Sequence, residues 1–183
     1  MRSRRLTISL ILVLAVALTG CGGSDSSSDE ASASSASTAQ SESAETAEVD
    51  RTVTLHPKGN QMKYRETEFT VAPGETIRLV FDNTATSPSM QHNVVVLTTT
   101  EEGIFREVGE AGTRAGATND YIPQEENLQE QILAYTPMSK PGETVEVTFT
   151  VPEETGEYGY VCTFPGHWAT MQGTMYVKEG GAA

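Results

Sequence analysis

Residues 162–171, Cys162-Thr163-Phe164-Pro165-Gly166-His167-Trp168-Ala169-Thr170-Met171, place a thiol, an imidazole and a thioether at positions 0, +5 and +9 of one loop. Pro165 fixes one backbone angle and Gly166 allows another that a β-carbon would block, so together they supply a tight turn between thiol and imidazole. The loop constrains the fold strongly, because a further donor has to reach it from elsewhere in the chain. Gln91-His92-Asn93, which opens an apolar run 70 residues before Cys162, offers that donor. The expected fold is one that returns residue 92 to this loop.

Two imidazoles, one thiolate and a weak axial thioether are the ligand set of a mononuclear type 1 (blue) copper site. The thiolate takes the metal most tightly, whereas a soft thioether tolerates a long, weak bond. A catalytic zinc would prefer nitrogen, oxygen or thiolate in the fourth place, so Met171 favours copper. Taken singly, Cys162 reads as a small core residue, Met171 as a gap-filler and His92 as a hydrogen-bonded edge residue. The combination, not any one of them, carries the expectation of one copper held by His92, Cys162, His167 and Met171.

The chain has three histidines and two cysteines. That is too few imidazoles for a trinuclear oxygen-reducing cluster and too few thiolates for a binuclear copper centre. No catalytic residue is expected, and no enzymatic activity. His56, in Leu55-His56-Pro57-Lys58-Gly59, sits in a turn-like segment and is expected to be solvated.

The amino terminus reads as an address. A basic start, Met1-Arg2-Ser3-Arg4-Arg5, precedes an almost wholly apolar run from Leu6 to Leu18. That run is short for a transmembrane helix and suits a signal-peptide core. It ends in Leu18-Thr19-Gly20-Cys21, which resembles the lipobox of bacterial lipoproteins. Residues 1–20 are therefore expected to be a removed signal, with Cys21 lipidated and holding the protein to a membrane of the bacterial cell envelope, on its extracytoplasmic side. Residues 22–50, rich in Ser, Ala, Thr and acid and without Lys, Arg or an aromatic residue, read as a flexible tether. Such a coil spans roughly 30 Å. With Cys21 and Cys162 each assigned, no disulfide remains, and a metal explains how an unpaired thiol persists in an oxidising compartment.

Residues 51–180 form the expected single domain. Of the overall charge of −13, three arginines of the signal and seven carboxylates of the tether leave −9 on residues 51–183. That balance excludes nucleic acid and anionic membrane surfaces as partners. The domain reads as all-β, a two-sheet sandwich. Ile77, Leu79 and Phe81 share one face of a strand that follows the turn Ala72-Pro73-Gly74-Glu75, and Val145, Val147, Phe149 and Val151 share one face of another. His92 to Thr99, Glu157 to Cys162 and Gly173 to Lys178 read as further strands, with Tyr158, Tyr160 and Cys162 facing the core. Glu101 to Gln131 breaks the alternation and reads as a loop or flap with one short helix, the fairest helical composition lying over Asn127–Leu133.

These segments together resemble the azurin-type cupredoxins, and the tether without a disulfide resembles the auracyanins in particular. The resemblance covers nearly all of 51–178. It rests on Gly59-Asn60-Gln61-Met62, Met90-Gln91-His92-Asn93, Asn119-Asp120-Tyr121, the run from Cys162 to His167, Met171 and Gly173-Thr174. It implies a Greek-key β-sandwich with a flap between the His92 and Cys162 segments. His92, Cys162 and His167 are then equatorial ligands and Met171 the axial one. Gln91, Asn93, Thr163 and Phe164 surround them, Asn93 tying the two ligand loops together and, with the Phe164 amide, hydrogen-bonding the sulfur. Gln91 stands where azurin has a glycine whose carbonyl is a long fifth ligand; auracyanin-like proteins resemble this chain there.

What the resemblance implies is a monomeric shuttle of single electrons between redox proteins, entered and left through the His167 edge. Met62, Met90, Phe164, Pro165, Gly166 and Ala169 flank that edge and are expected to form an apolar docking patch. A copper carrier or buffer with the same ligands and no redox partner is the alternative.

Overall fold

A computed structural model describes residues 48–180. The signal, Cys21 and nearly all of the tether lie outside the described residues. Eight strands build two sheets. The first, in the order β1-β3-β6, contains β1 (Arg51–Leu55), β3 (Thr76–Asp82) and β6 (Thr144–Thr150). The second, in the order β2-β8-β7-β4-β5, contains β2 (Glu68–Val71), β8 (Gln172–Val177), β7 (Gly156–Val161), β4 (Val95–Leu97) and β5 (Ile132–Tyr135). The all-β sandwich is therefore as the alternation predicts, with parallel pairings of β1 with β3 and of β2 with β8.

Period-two patterning explains the first sheet. Ile77, Leu79 and Phe81 of β3 are fully buried and pair in register with Phe149, Val147 and Val145 of β6. The turn before β3 is closed by Gly74, at φ 69°, and by the Ala72 amide donating to Glu75 Oε2 at 2.8 Å. The second sheet differs because both of its faces are covered. Val94, Val96, Tyr158, Tyr160 and Cys162 enter the core between the sheets, as expected for the last three, while Val95, Leu97 and Val161 pack on the other side under a helix. Two-sided burial is why the segment after His92 reads as a continuous apolar run. Regular pairing there is confined to Val95–Leu97, shorter than the strand expected over His92–Thr99.

The flap between the His92 and Cys162 segments carries the expected helix, but not over the residues with the fairest helical composition. α1 (Glu102–Ala115) spans 14 residues of the segment expected to be largely loop, whereas the helical composition over Asn127–Leu133 yields only α2 (Glu126–Gln129) before β5 begins. Three glycines, Gly103, Gly109 and Gly112, lower the intrinsic helix propensity of α1 and hide it. It forms because Phe105, Val108, Ala111 and both inner glycines are buried against the sheet. Acidic Glu102 in its first turn and basic Arg114 in its last suit the helix dipole, and Gly116, at φ 72°, ends it. Gly109 and Gly112 are needed for close approach: a β-carbon on Gly109 would strike the Trp168 ring, and one on Gly112 the Tyr121 carbonyl and the Thr163 side chain. The flap helix thus rests directly on the ligand loop.

His56 is also corrected. It is not free in solvent: its side chain is 23% exposed and lies between Glu66 Oε1 at 3.1 Å and Asp82 Oδ2 at 3.8 Å, linking the ends of β1 and β3.

Candidate metal centre

Adjacent strands of one sheet carry the ligand loop. Cys162 follows the last residue of β7, Met171 precedes the first of β8, and the Cys162 amide donates to the Met171 carbonyl at 3.1 Å to close the loop's base. Inside it, the His167 amide bonds the Phe164 carbonyl at 2.9 Å and Gly166 takes φ 81°, the turn that Pro165-Gly166 predicts. The Met171 amide bonds the His167 carbonyl at 2.8 Å. Trp168 turns away from the opening and packs against α1 over Gly109.

His92 arrives from the segment before β4. Its amide and carbonyl exchange hydrogen bonds with Ser139 at 3.0 and 2.8 Å. Buried Asn83 braces the same segment, its amide nitrogen donating to the Met90 and Ser139 carbonyls at 2.9 and 3.0 Å. Neither Asn83 nor Ser139 was legible as a site residue, because each acts through the main chain and carries no ligand chemistry. Half-buried Gln91 precedes the histidine. The His92 ring turns Nδ1 inward, and its buried Nε2 has no hydrogen-bond partner.

The three donors converge. His92 Nδ1 lies 3.1 Å from His167 Nδ1, and Cys162 Sγ lies 3.8 and 3.7 Å from those two atoms. A point equidistant from all three sits about 2.1 Å from each, the length of a bond from imidazole to a first-row metal. His92, Cys162 and His167 form the metal-capable group found among the described residues. Met171 is fully buried in the same core cluster as Cys162. His167 alone of the four side chains reaches the surface, at 3% exposure against 0% for the others.

The surroundings fix the donors. Thr163, fully buried, donates its amide to Asn93 Oδ1 at 2.9 Å, and Asn93 Nδ2 donates to Thr163 Oγ1 at 2.8 Å and to the Asp120 carbonyl at 3.1 Å. Asn93 thereby ties both ligand segments to the flap, where Asp120 and Tyr121 hold φ of 49° and 56°. The Phe164 ring stands 4.8 Å from that of His167 and 5.3 Å from that of Tyr121. The Tyr64 hydroxyl donates to the Asn93 carbonyl at 2.7 Å; burial first, then the neighbouring Cys162 and Tyr160, hold its phenol far above the usual range, so it stays a donor.

Burial pushes the Cys162 thiol up to about 12, although the amides of Asn93 and Phe164 bond the sulfur and oppose the shift. Burial, then the closeness of His167, takes His92 down to about 4, and burial lowers His167. At pH 7 the metal-free group is a neutral thiol between two neutral imidazoles, so copper(II) uptake is expected to release about one proton, from Cys162. Affinity should then fall about tenfold per pH unit below neutrality, and more steeply as pH approaches 4 and His92 also holds a proton. Competition titrations from pH 8 to 5 check this; a pH-independent affinity would show that the thiol is not the displaced acid.

The family of copper-binding proteins that comprises plastocyanin and azurin matches residues 51–178. The chain belongs to that family. It is 35% identical to auracyanin-A of Chloroflexus aurantiacus over 175 residues, covering 96% of this chain and 97% of the relative. Azurin of Alcaligenes faecalis is 37% identical over 102 residues, 55% of this chain and 75% of that azurin. Among solved structures, auracyanin A, described as a "blue" copper protein, superposes with TM-score 0.63 at 36% identity, covering 69% of this chain and 98% of that one. Auracyanin from Roseiflexus castenholzii, reduced with dithionite, gives 0.62 at 36% identity, covering 69% and 96%. In this cupredoxin the residues fit the metal: His92, Cys162, His167 and Met171 form a group of the type 1 copper kind.

Proposed function

We propose that this cupredoxin is an electron shuttle, anchored by lipid on Cys21 outside the cytoplasm, whose copper would be held by His92, Cys162, His167 and Met171. Bound copper supplies a one-electron couple. The protein's part is to hold the donors still: three sit on braced segments of one sheet, so little has to move on each transfer. The observation that carries the reading is the opening at His167, which alone of the four proposed ligands has any exposed surface, on a loop that itself carries no charge. Segments 83–100 and 158–177, which hold all four proposed ligands, contain no Asp, Glu, Lys or Arg, although the domain is strongly acidic.

The expected docking patch has a physical basis here. Met62, Pro165, Gly166 and Ala169 are exposed, and Met90 and Phe164 are half-buried. Cross-links keep their loops together: Thr170 Oγ1 donates to the Met62 carbonyl at 2.9 Å, and Asn60 Oδ1 accepts from the Thr86 and Ser87 amides at 2.9 and 3.0 Å. Exposed apolar side chains of this kind suit brief contact with redox proteins. A copper carrier would need exchangeable ligands, whereas these donors are almost wholly buried.

Reversible voltammetry of the loaded protein, together with electron self-exchange between its copies, tests the shuttle. Met90→Lys is expected to keep the visible spectrum while slowing self-exchange at least about tenfold, since both partners must desolvate the new charge. An unchanged rate at several salt concentrations would move the exit elsewhere. The anchor is tested separately. Cys21→Ser is expected to release the domain into the soluble extracytoplasmic fraction with its colour intact, the tether uncoupling anchor from site. Retention on membranes after high-salt washing would disprove the lipid anchor.

A further inference from the structure

The β4–β7 ladder pairs Val95 with Val161 and Val96 with Tyr160. Continued in that register, it would set Asn93 against Thr163, one residue beyond Cys162. The ladder stops short of that pair. The Thr163 amide goes to the Asn93 side chain at 2.9 Å, leaving the Asn93 main-chain groups to other partners. The Asn93 amide, like that of Phe164, favours the ionised form of the Cys162 sulfur. The Asn93 carbonyl, buried with the rest of the residue, still requires a donor.

Tyr64 is that donor. It comes from the loop between β1 and β2, and its ring is fixed by an edge-on contact with Phe81 at 6.0 Å and a tilted one with Tyr160 at 5.2 Å. Its hydroxyl therefore meets the Asn93 carbonyl, at 2.7 Å, from a rigid base. On the far side of the same peptide, the Val94 amide donates to Thr136 Oγ1 at 3.0 Å, so the unit is gripped at both ends.

We infer that Tyr64 is a positioning residue of the copper centre: by capturing the Asn93 carbonyl it keeps the ladder open and the Asn93 amide on the Cys162 sulfur. The inference rests on the copper reading of the site. A hydrogen bond to the sulfur withdraws electron density from the thiolate and favours the reduced metal. Loosening Asn93 weakens that preference.

Tyr64→Phe keeps the packed ring and removes only the hydroxyl. In the copper-loaded protein the preference for Cu(I) over Cu(II) is expected to fall about three- to tenfold, the worth of one hydrogen bond. At 59 mV per tenfold that is a potential lower by about 30–60 mV. Tyr160→Phe is the control: it removes a hydroxyl from the same core cluster, bonded to the Glu66 carbonyl at 2.6 Å, and is expected to leave the potential unchanged. In the metal-free protein, hydrogen exchange of the Asn93 amide should quicken several-fold in Tyr64→Phe while Val96 stays protected. A wild-type potential with wild-type Asn93 exchange, or an equal shift in Tyr160→Phe, overturns the inference. A loaded wild-type protein without the blue band would sink the copper reading instead, and the metal-free exchange experiment would still decide whether Tyr64 holds Asn93.

Discussion

Replacing Cys162 with serine is expected to leave the copper-loaded protein colourless, with copper(II) affinity lowered more than about a hundredfold. Even outer-shell partners of a metal ligand contribute 10–100-fold, and Cys162 is itself a proposed ligand. Its sulfur lies 3.8 and 3.7 Å from the two inward-facing imidazole nitrogens, and it supplies the soft donor whose charge transfer to copper gives the blue band. A serine hydroxyl is a hard donor and does not ionise there. Met171→Leu should behave differently. The thioether only tunes the metal, so the colour is expected to persist. The potential should rise, because an apolar side chain in this dry site disfavours the more highly charged Cu(II). Visible spectroscopy and voltammetry on both variants separate the two roles. A blue Cys162→Ser protein would overturn the thiolate assignment, and a colourless Met171→Leu would make the methionine more than a weak axial donor.

The ligand loop was legible because its chemistry is contiguous. Cys162, Pro165, Gly166, His167 and Met171 lie within one turn-shaped run, and their spacing states the geometry. The sandwich was legible where one sheet face is solvated, as along β3 and β6, since only there does burial alternate residue by residue. What holds His92 in place was hidden. Asn83, Ser139 and Tyr64 work through main-chain carbonyls and amides 7 to 56 residues away in sequence, and no local pattern announces such contacts. His56 looked like a turn residue because Glu66 and Asp82 meet it only once the strands are paired. Helix α1 was hidden for the opposite reason: the glycines that let it approach the site are the residues that argue locally against a helix.

Those glycines give a prediction of opposite signs within one helix. Gly103 has nothing within 4 Å of the position its β-carbon would take, so Gly103→Ala adds helix propensity and is expected to stabilise the domain by up to about 1 kcal/mol. Gly112→Ala gains the same propensity and meets an obstacle. Its methyl group would strike the Tyr121 carbonyl and come within 2.8 Å of Thr163 Cβ. Neither neighbour can yield cheaply. Tyr121 and Asp120 already hold positive φ, the Asp120 carbonyl is bonded to Asn93, and Thr163 is fully buried beside Cys162. Overpacking of this kind costs about 1–3 kcal/mol and occasionally more, with backbone obstruction at the high end. The clash therefore outweighs the propensity, and Gly112→Ala is expected to lose about 2 kcal/mol net, lowering the melting temperature of the metal-free domain by several degrees. Because relief requires α1 to move outward and release the Asp120–Asn93–Thr163 contacts, the same variant should also shift the blue band of the loaded protein, which Gly103→Ala should not. Thermal unfolding of the two metal-free variants, with visible spectra of their loaded forms, checks both signs. A Gly112→Ala protein as stable as Gly103→Ala, with an unshifted band, would mean that the flap helix does not press on the ligand loop.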